Sequence, residues 1–158
     1  MSGATFSEDR AYRQLLWRVW EEDAKFLNVI GLNPSRAGEI ESDPTITRQI
    51  ERAKRLGCGG LLMTNAYDLV ATDPKDMKKH PKPLSEAADE AIVAAAKRTD
   101  ASGGIILAAW GRNVSEKRWV ELMSLLAGFD LHCLGVNADD SPVHPLYVGY
   151  DVVPQRYT

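Results

Sequence analysis

Phe26-Leu27-Asn28-Val29-Ile30-Gly31-Leu32-Asn33-Pro34-Ser35 is a near-continuous apolar run that stops in a glycine- and proline-marked turn. Apolar residues at successive positions, without polar alternation, describe a strand covered on both faces, as in a parallel sheet. Three further runs have the same character: Leu61–Thr64, Ile105–Trp110 and Leu131–Val136. Helical signals separate them. Asp43-Pro44 supplies an N-cap and a proline at the first helical position, and Ile46, Ile50, Ala53 and Leu56 follow at helical spacing. Ser85 is read as the cap of a second helix carrying Ala88, Ile92 and Ala95 on one face. Ser115 opens a third, with Trp119, Leu122, Leu125 and Leu126 inward and Gly128 as its stop. Strands alternating with helices predict a single α/β domain over 1–158.

Working outward, the segment from Ser7 to Glu22 is ambiguous. Tyr12, Leu15, Leu16, Val19 and Trp20 have helical spacing, although the aromatic content also suits a hairpin, and the spacing favours a helix. Thr72 to Pro83, rich in proline and lysine, reads as a long exposed loop. Beyond Val136 the chain is polar and turn-rich, as expected of a segment packed across one sheet edge.

In open α/β sheets ligands bind beyond the carboxyl ends of the strands, so those ends are the places to look for chemistry. The first presents Gly31, Asn33, Pro34 and Ser35: a glycine that permits close approach, a stiffened turn, and an amide that both donates and accepts. An ordinary Asn-Pro turn is its simplest structural role. The second presents Asn65, whose buried amide needs partners and whose simplest role is to tie down the next loop. The third presents Trp110, Gly111 and Arg112, the arginine suited to a phosphate or to plain solvation. The fourth leads to His144-Pro145-Leu146-Tyr147. His144 is the histidine best placed for chemistry, because it lies between turn residues and off any apolar helical face. His132 reads as half-buried in a strand and His80 as solvated. Asp43 and Asp73 are the carboxylates nearest these ends, and capping is the leading role for Asp43.

Composition limits the function classes. The chain has 158 residues, 44% hydrophobic and 26% charged, with a formal net charge of −3. Such a composition excludes a disordered chain. The longest apolar run falls far short of the ~20 residues of a spanning helix, so no membrane association is expected. No export signal is visible, and Cys58 and Cys133 support neither a disulfide framework nor a zinc site. A cytoplasmic location, no metal and no cofactor are the expectations. The charge counts against a long duplex footprint but not against a local basic patch from Arg36, Arg48, Arg112 and the lysines of 75–82.

Taken together, Gly31-Leu32-Asn33-Pro34-Ser35, Asp43-Pro44-Thr45, Asn65 with Ala71-Thr72-Asp73-Pro74, Ala109-Trp110-Gly111 and His144-Pro145-Leu146-Tyr147 resemble an uncharacterised bacterial and phage family, known only as a numbered domain of unknown function. The same order of features is more distantly similar to the uracil-DNA glycosylase superfamily. That resemblance implies a three-layer α/β/α sandwich around a four-stranded parallel sheet. It implies Asn33 as the water-positioning residue, Asn65 as the reader of the base edge, and His144 as the stabiliser of the departing base. Leu146 or Tyr147 would be the wedge. The sequence departs from that pattern at Asn33, an amide in place of an acid, and at Leu146, where a serine is usual. The expected function is recognition of a nucleobase, nucleotide or single-stranded or flipped-base DNA, with hydrolysis of an N-glycosidic bond as its catalytic form. The alternatives are a non-catalytic nucleotide or modified-base binder, or an accessory protein meeting a protein partner through residues 72–83.

Overall fold

The computed structural model describes residues 1–36, 38 and 40–157. Seven strands form one sheet: β1 (Ser2–Phe6), β2 (Arg13–Val19), β3 (Phe26–Gly31), β4 (Gly60–Asn65), β5 (Ile105–Ala108), β6 (Leu131–Cys133) and β7 (Gln155–Arg156). Their spatial order is β1-β2-β4-β3-β5-β6-β7. The four apolar runs are the four central strands, and these are mutually parallel. The sheet is nonetheless mixed and seven-stranded, not four-stranded, because antiparallel pairs extend it at both edges.

The segment from Ser7 to Glu22 corrects the helical expectation. It is the turn and second strand of a hairpin, in which Arg10 takes a φ of 60° and Ser7 N–H bonds the Tyr12 carbonyl. Both faces of β2 are covered, which removes the polar alternation that would have revealed a strand. Leu16 packs with β3 and α1 on one side, while Leu15, Trp17 and Val19 pack with Ala95 on the other. Apolar residues on both faces of a strand can fall at helical spacing by coincidence.

The helices are α1 (Pro44–Arg55), α2 (Pro74–Lys79), α3 (Ala88–Ala101) and α4 (Glu116–Leu125). Asp43 caps α1 by accepting from Ile46 N–H, and Ser115 caps α4 by accepting from Arg118 N–H. Two boundaries differ from expectation. The segment 72–83 contains the short helix α2, capped by Asp73. Ser85 does not cap α3; its N–H and hydroxyl both go to Asp68, and Ala87 precedes the helix without a side-chain cap. Covering Ile30, Ile106 and Leu131 on one face of the sheet are Ile92 and Ala96 of α3 with Leu122 of α4. On the other face Ile46 and Ala53 of α1 cover Leu27, Val29 and Leu107. Trp110 is wholly buried, with the Tyr157 ring edge-on at 6.2 Å.

This winding places the site. After β3 the chain passes over one face to reach β4, then over the other to reach β5 on the opposite side of β3. The connections diverge at the β3/β5 pair, which leaves a crevice beyond their carboxyl ends. Among the described residues no helix is long and apolar enough to cross a membrane.

Candidate functional site

A cavity of about 400 Å³ occupies that crevice, lined in part by Gly31, Asn33, Ser35, Asn65, Trp110, Gly111, Arg112, His144 and Leu146. The volume suits one small ligand. Two residues singled out in the sequence do not line it: Pro34 is buried behind the wall and Tyr147 stands 93% exposed outside.

Asn33 is fixed through its own amide. Nδ2 donates to the Ala71 carbonyl at 2.7 Å and to the Pro34 carbonyl at 3.2 Å, while Ala71 N–H returns a bond to the Pro34 carbonyl. With its donor so engaged, Asn33 offers the cavity an acceptor, Oδ1. Ser35 donates to Asp43, whose other oxygen holds Ile46 N–H. Asp43 thus lines the cavity with both oxygens occupied. Asp73 is bound at the start of α2 and does not line the cavity.

Asn65 is different. It ends β4 directly opposite Gly31 in the parallel register, and it is 4% exposed. Its Nδ2 is buried without a hydrogen-bond partner. An orphaned buried donor costs on the order of 1–3 kcal/mol, and a ligand acceptor would remove that cost. Gly31 makes the room: a Cβ there would lie 2.8 Å from Asn65 Oδ1 and 3.0 Å from Met63 Cε. Gly31→Ala is therefore expected to displace the amide and weaken ligand binding by about tenfold, with a stability loss of about 1–2 kcal/mol. Calorimetric titration and a denaturant midpoint check both; full affinity in the variant would show that the amide is not used.

His144 arrives from the far edge. Residues 135–143 turn back on themselves, with Asn137 N–H bonded to the Ser141 carbonyl and Val143 N–H to that of Gly135. Gly111, at a φ of 73° that only glycine adopts comfortably, bonds Pro142 and lies 3.6 Å from His144 Cβ when a Cβ is built on it. His144 then caps a 3-10 turn over Pro145–Tyr147, its Nδ1 accepting from Leu146 N–H at 3.3 Å. That bond assigns the neutral tautomer: Nδ1 accepts, so Nε2 carries the proton and is a donor. The ring is exposed at the mouth, yet desolvation by the surrounding walls holds its pKa below the ordinary histidine value. The turn beyond it is strapped to α1, where Arg48 and Arg52 both donate to the Val148 carbonyl at 2.8 Å and flank the Tyr150 ring.

A pH dependence follows. Since the folded pKa lies below the reference of 6.5, the unfolded chain binds the proton more readily. Stability from His144 is complete above pH 6.5 and declines as pH falls through the depressed folded value, where a protonated Nδ1 would confront Leu146 N–H. Thermal midpoints of the wild type and His144→Asn, which keeps a capping oxygen, should converge as pH falls from 7.5 to 5. A constant difference would show that His144 does not titrate in this way.

Uncharged residues such as Met63 and Asn113 line the cavity as well, and Arg13 is the charged lining residue that sequence reasoning missed. It begins β2, next to the ends of β4, and is 2% exposed. Its pKa is pushed down to about 10 by desolvation, with Asp43 opposing and Arg18 adding to the fall, so it remains a cation at neutral pH. The one available signal was a strand reading of Arg13–Val19, which runs antiparallel to β4 and so brings its first residue to the carboxyl end of that strand. Among the described residues no group of three or more His, Cys, Asp or Glu side chains is arranged to hold a metal ion.

The fold and cavity define an α/β protein with a pocket of mixed polar and apolar lining at a topological switch point. Over residues 13–146 the chain matches the family described as "Protein of unknown function (DUF1643)", and it belongs to that family. The matched span opens at Arg13 and closes at Leu146, both of which line the cavity. No curated protein and no solved structure matches the chain.

Proposed function

We propose that the cavity recognises a nucleobase, free or within a nucleotide, in an arrangement like that of the uracil-DNA glycosylase superfamily. The observation that carries this reading is the Asn65 amide, buried and unpaired at Nδ2 in the wall of a cavity of ligand size. A carboxamide matches the adjacent donor and acceptor of a pyrimidine edge, and a wrong edge costs a few kcal/mol. Neutral His144 contributes a second donor from Nε2 and Asn33 an acceptor.

Catalysis is the second reading, and the same groups support it in a slow form. Hydrolysis breaks the bond between C1′ and the base nitrogen, with water adding at C1′, the base leaving as an anion that accepts a hydrogen bond from His144, and the water's proton passing through solvent to the departed base. Asn33 Oδ1 can orient that water but cannot take its proton, and Asp43 already serves as the cap of α1 and the acceptor for the Ser35 hydroxyl. Binding is therefore favoured over rapid turnover. Leu146, half-buried at the mouth, and exposed Tyr147 are the wedge candidates if a nucleotide is flipped from DNA.

Two measurements separate these readings. Thermal shift against bases, nucleosides and nucleotides should give a response that Asn65→Ala removes. Oligonucleotides containing uracil, hypoxanthine or hydroxymethyluracil, treated with alkali after incubation, test cleavage; strand breaks lost in Asn33→Ala would establish the hydrolase. Silence in both assays would set aside base recognition and favour a protein partner at residues 72–83.

A further inference from the structure

Building on the base-recognition reading, we infer that the site is bipartite: a second cavity beside the first takes the neighbouring base of a di- or oligonucleotide, and the phosphate joining the two crosses at Lys78. A free base or nucleoside fills only one half of it.

The same two segments build both cavities. The chain from 72 to 78 puts Thr72 and Pro74 in the wall of the first, and Met77 and Lys78 of α2 in the wall of the second. The connection from β5 to α4 puts Arg112 and Asn113 in the first, and Asn113, Val114 and Ser115 in the second. The cavities therefore lie side by side, with Asn113 in the wall of each. The second measures about 430 Å³, close to the volume of the first, which is room for one further ring and its sugar. At their boundary Lys78 Nζ donates to Asn113 Oδ1 at 3.0 Å and ties the two segments together. Both side chains are exposed, so a ligand displaces this bond at little cost.

The lining of the second cavity defines what it takes. Buried Tyr67 and Met77, with half-buried Pro83 and Val114, give it apolar and aromatic surface. The Tyr67 hydroxyl is engaged, donating to Ser115 Oγ at 3.2 Å and accepting from Ser115 N–H at 3.0 Å, so Tyr67 offers a ligand its ring. Such surface packs against the face of any base, without reading its edge. Lys78 supplies the charge. Among the described residues its partner is the neutral amide of Asn113, and no carboxylate pairs with it. A phosphate oxygen is the better partner for an ammonium, because the attraction of opposite charges adds to the hydrogen bond. The phosphate between two nucleotides falls at this boundary when their bases occupy adjacent cavities. Joining the two rings by one linker makes the second contact intramolecular, which raises affinity without any change in the protein.

The test is a calorimetric titration of the full chain with uridine, its 3′- and 5′-monophosphates and the dinucleotide uridylyl-(3′→5′)-uridine. The dinucleotide should bind about tenfold or more tighter than uridine and than either monophosphate, since only it reaches the second cavity with a ring. Val114→Phe, which fills that cavity, should bring the dinucleotide to within about twofold of the monophosphates. Lys78→Gln should weaken the dinucleotide by about threefold or more at low salt and by less as salt is raised. If Val114→Phe does not fold, Lys78→Gln, at an exposed position, decides the matter. A dinucleotide that binds no tighter than the monophosphates overturns this inference and leaves base recognition standing. An advantage undiminished in Val114→Phe, or in Lys78→Gln at low salt, overturns the assignment to this cavity. Dinucleotide binding that Val114→Phe weakens and Asn65→Ala leaves intact overturns base reading by Asn65 while keeping the second cavity, and no binding across the series overturns both.

Discussion

Asn65→Ala should weaken the binding of a pyrimidine nucleoside by about 100-fold or more while leaving the thermal midpoint unchanged or slightly raised. The two effects have one cause. Asn65 Nδ2 is buried and unpaired, so the side chain gives the protein no hydrogen bond at that atom and carries a desolvation cost. Truncation removes an orphan and strands no partner. A ligand edge that had paired with the amide would lose both partners, each worth on the order of 1–3 kcal/mol in a buried site. Asn28 is the matched control. It is equally buried, but its Nδ2 donates to the Leu62 carbonyl at 3.0 Å between the two central strands. Asn28→Ala should lower stability and leave affinity nearly intact. Calorimetric titration and thermal melts on both variants check the pair. If Asn65→Ala destabilises as Asn28→Ala does and binds normally, Asn65 is a structural residue and the base-reading role fails.

Gly104→Ala is expected to produce the largest loss of stability, about 3 kcal/mol or more, and to compromise folding near physiological temperature. Gly104 sits just before β5, where the backbone passes close against the first residue of β3. A Cβ there would lie 2.0 Å from the Phe26 carbonyl oxygen and 2.9 Å from the Phe26 carbonyl carbon and amide nitrogen. Backbone cannot move aside as a side-chain tip can, so the β3/β5 pairing would have to shift. That pairing frames the cavity, and even a folded variant should bind weakly. Gly128→Ala is the contrasting case: nothing lies within 4 Å of its Cβ position, and its φ is outside the left-handed region. It should be neutral or gain a few tenths of a kcal/mol through the unfolded state. Urea midpoints distinguish the two; similar values would show that the sheet absorbs the insertion.

The same physics explains what was legible beforehand. Strands β3, β4, β5 and β6 could be read because burial on both faces of a parallel sheet demands apolar runs, and Asp43 and Ser115 could be read because a helix start leaves donors that only a few side chains satisfy. Asn33, Asn65 and His144 could be singled out as polar groups at strand ends, and the structure brings them to one cavity. Ser85 misled because its hydroxyl had a second use in tying down Asp68, a demand set 17 residues away. Segment 72–83 concealed a six-residue helix, since a turn and a half leaves little periodicity to detect.

Local chemistry in the chain therefore determined the α/β alternation, the central strands and three of the polar groups around the cavity, because each rests on contacts or caps within a few residues. Tertiary structure alone decided the rest. Whether 13–19 ran as helix or strand depended on a free edge of β4 and on two helices covering both of its faces, none of which is encoded near Arg13. That pairing adds an antiparallel edge to the sheet, and it brings the buried Arg13 to the cavity that Asn65 also lines. The long-range partner, not the local pattern, brought Arg13 to the site.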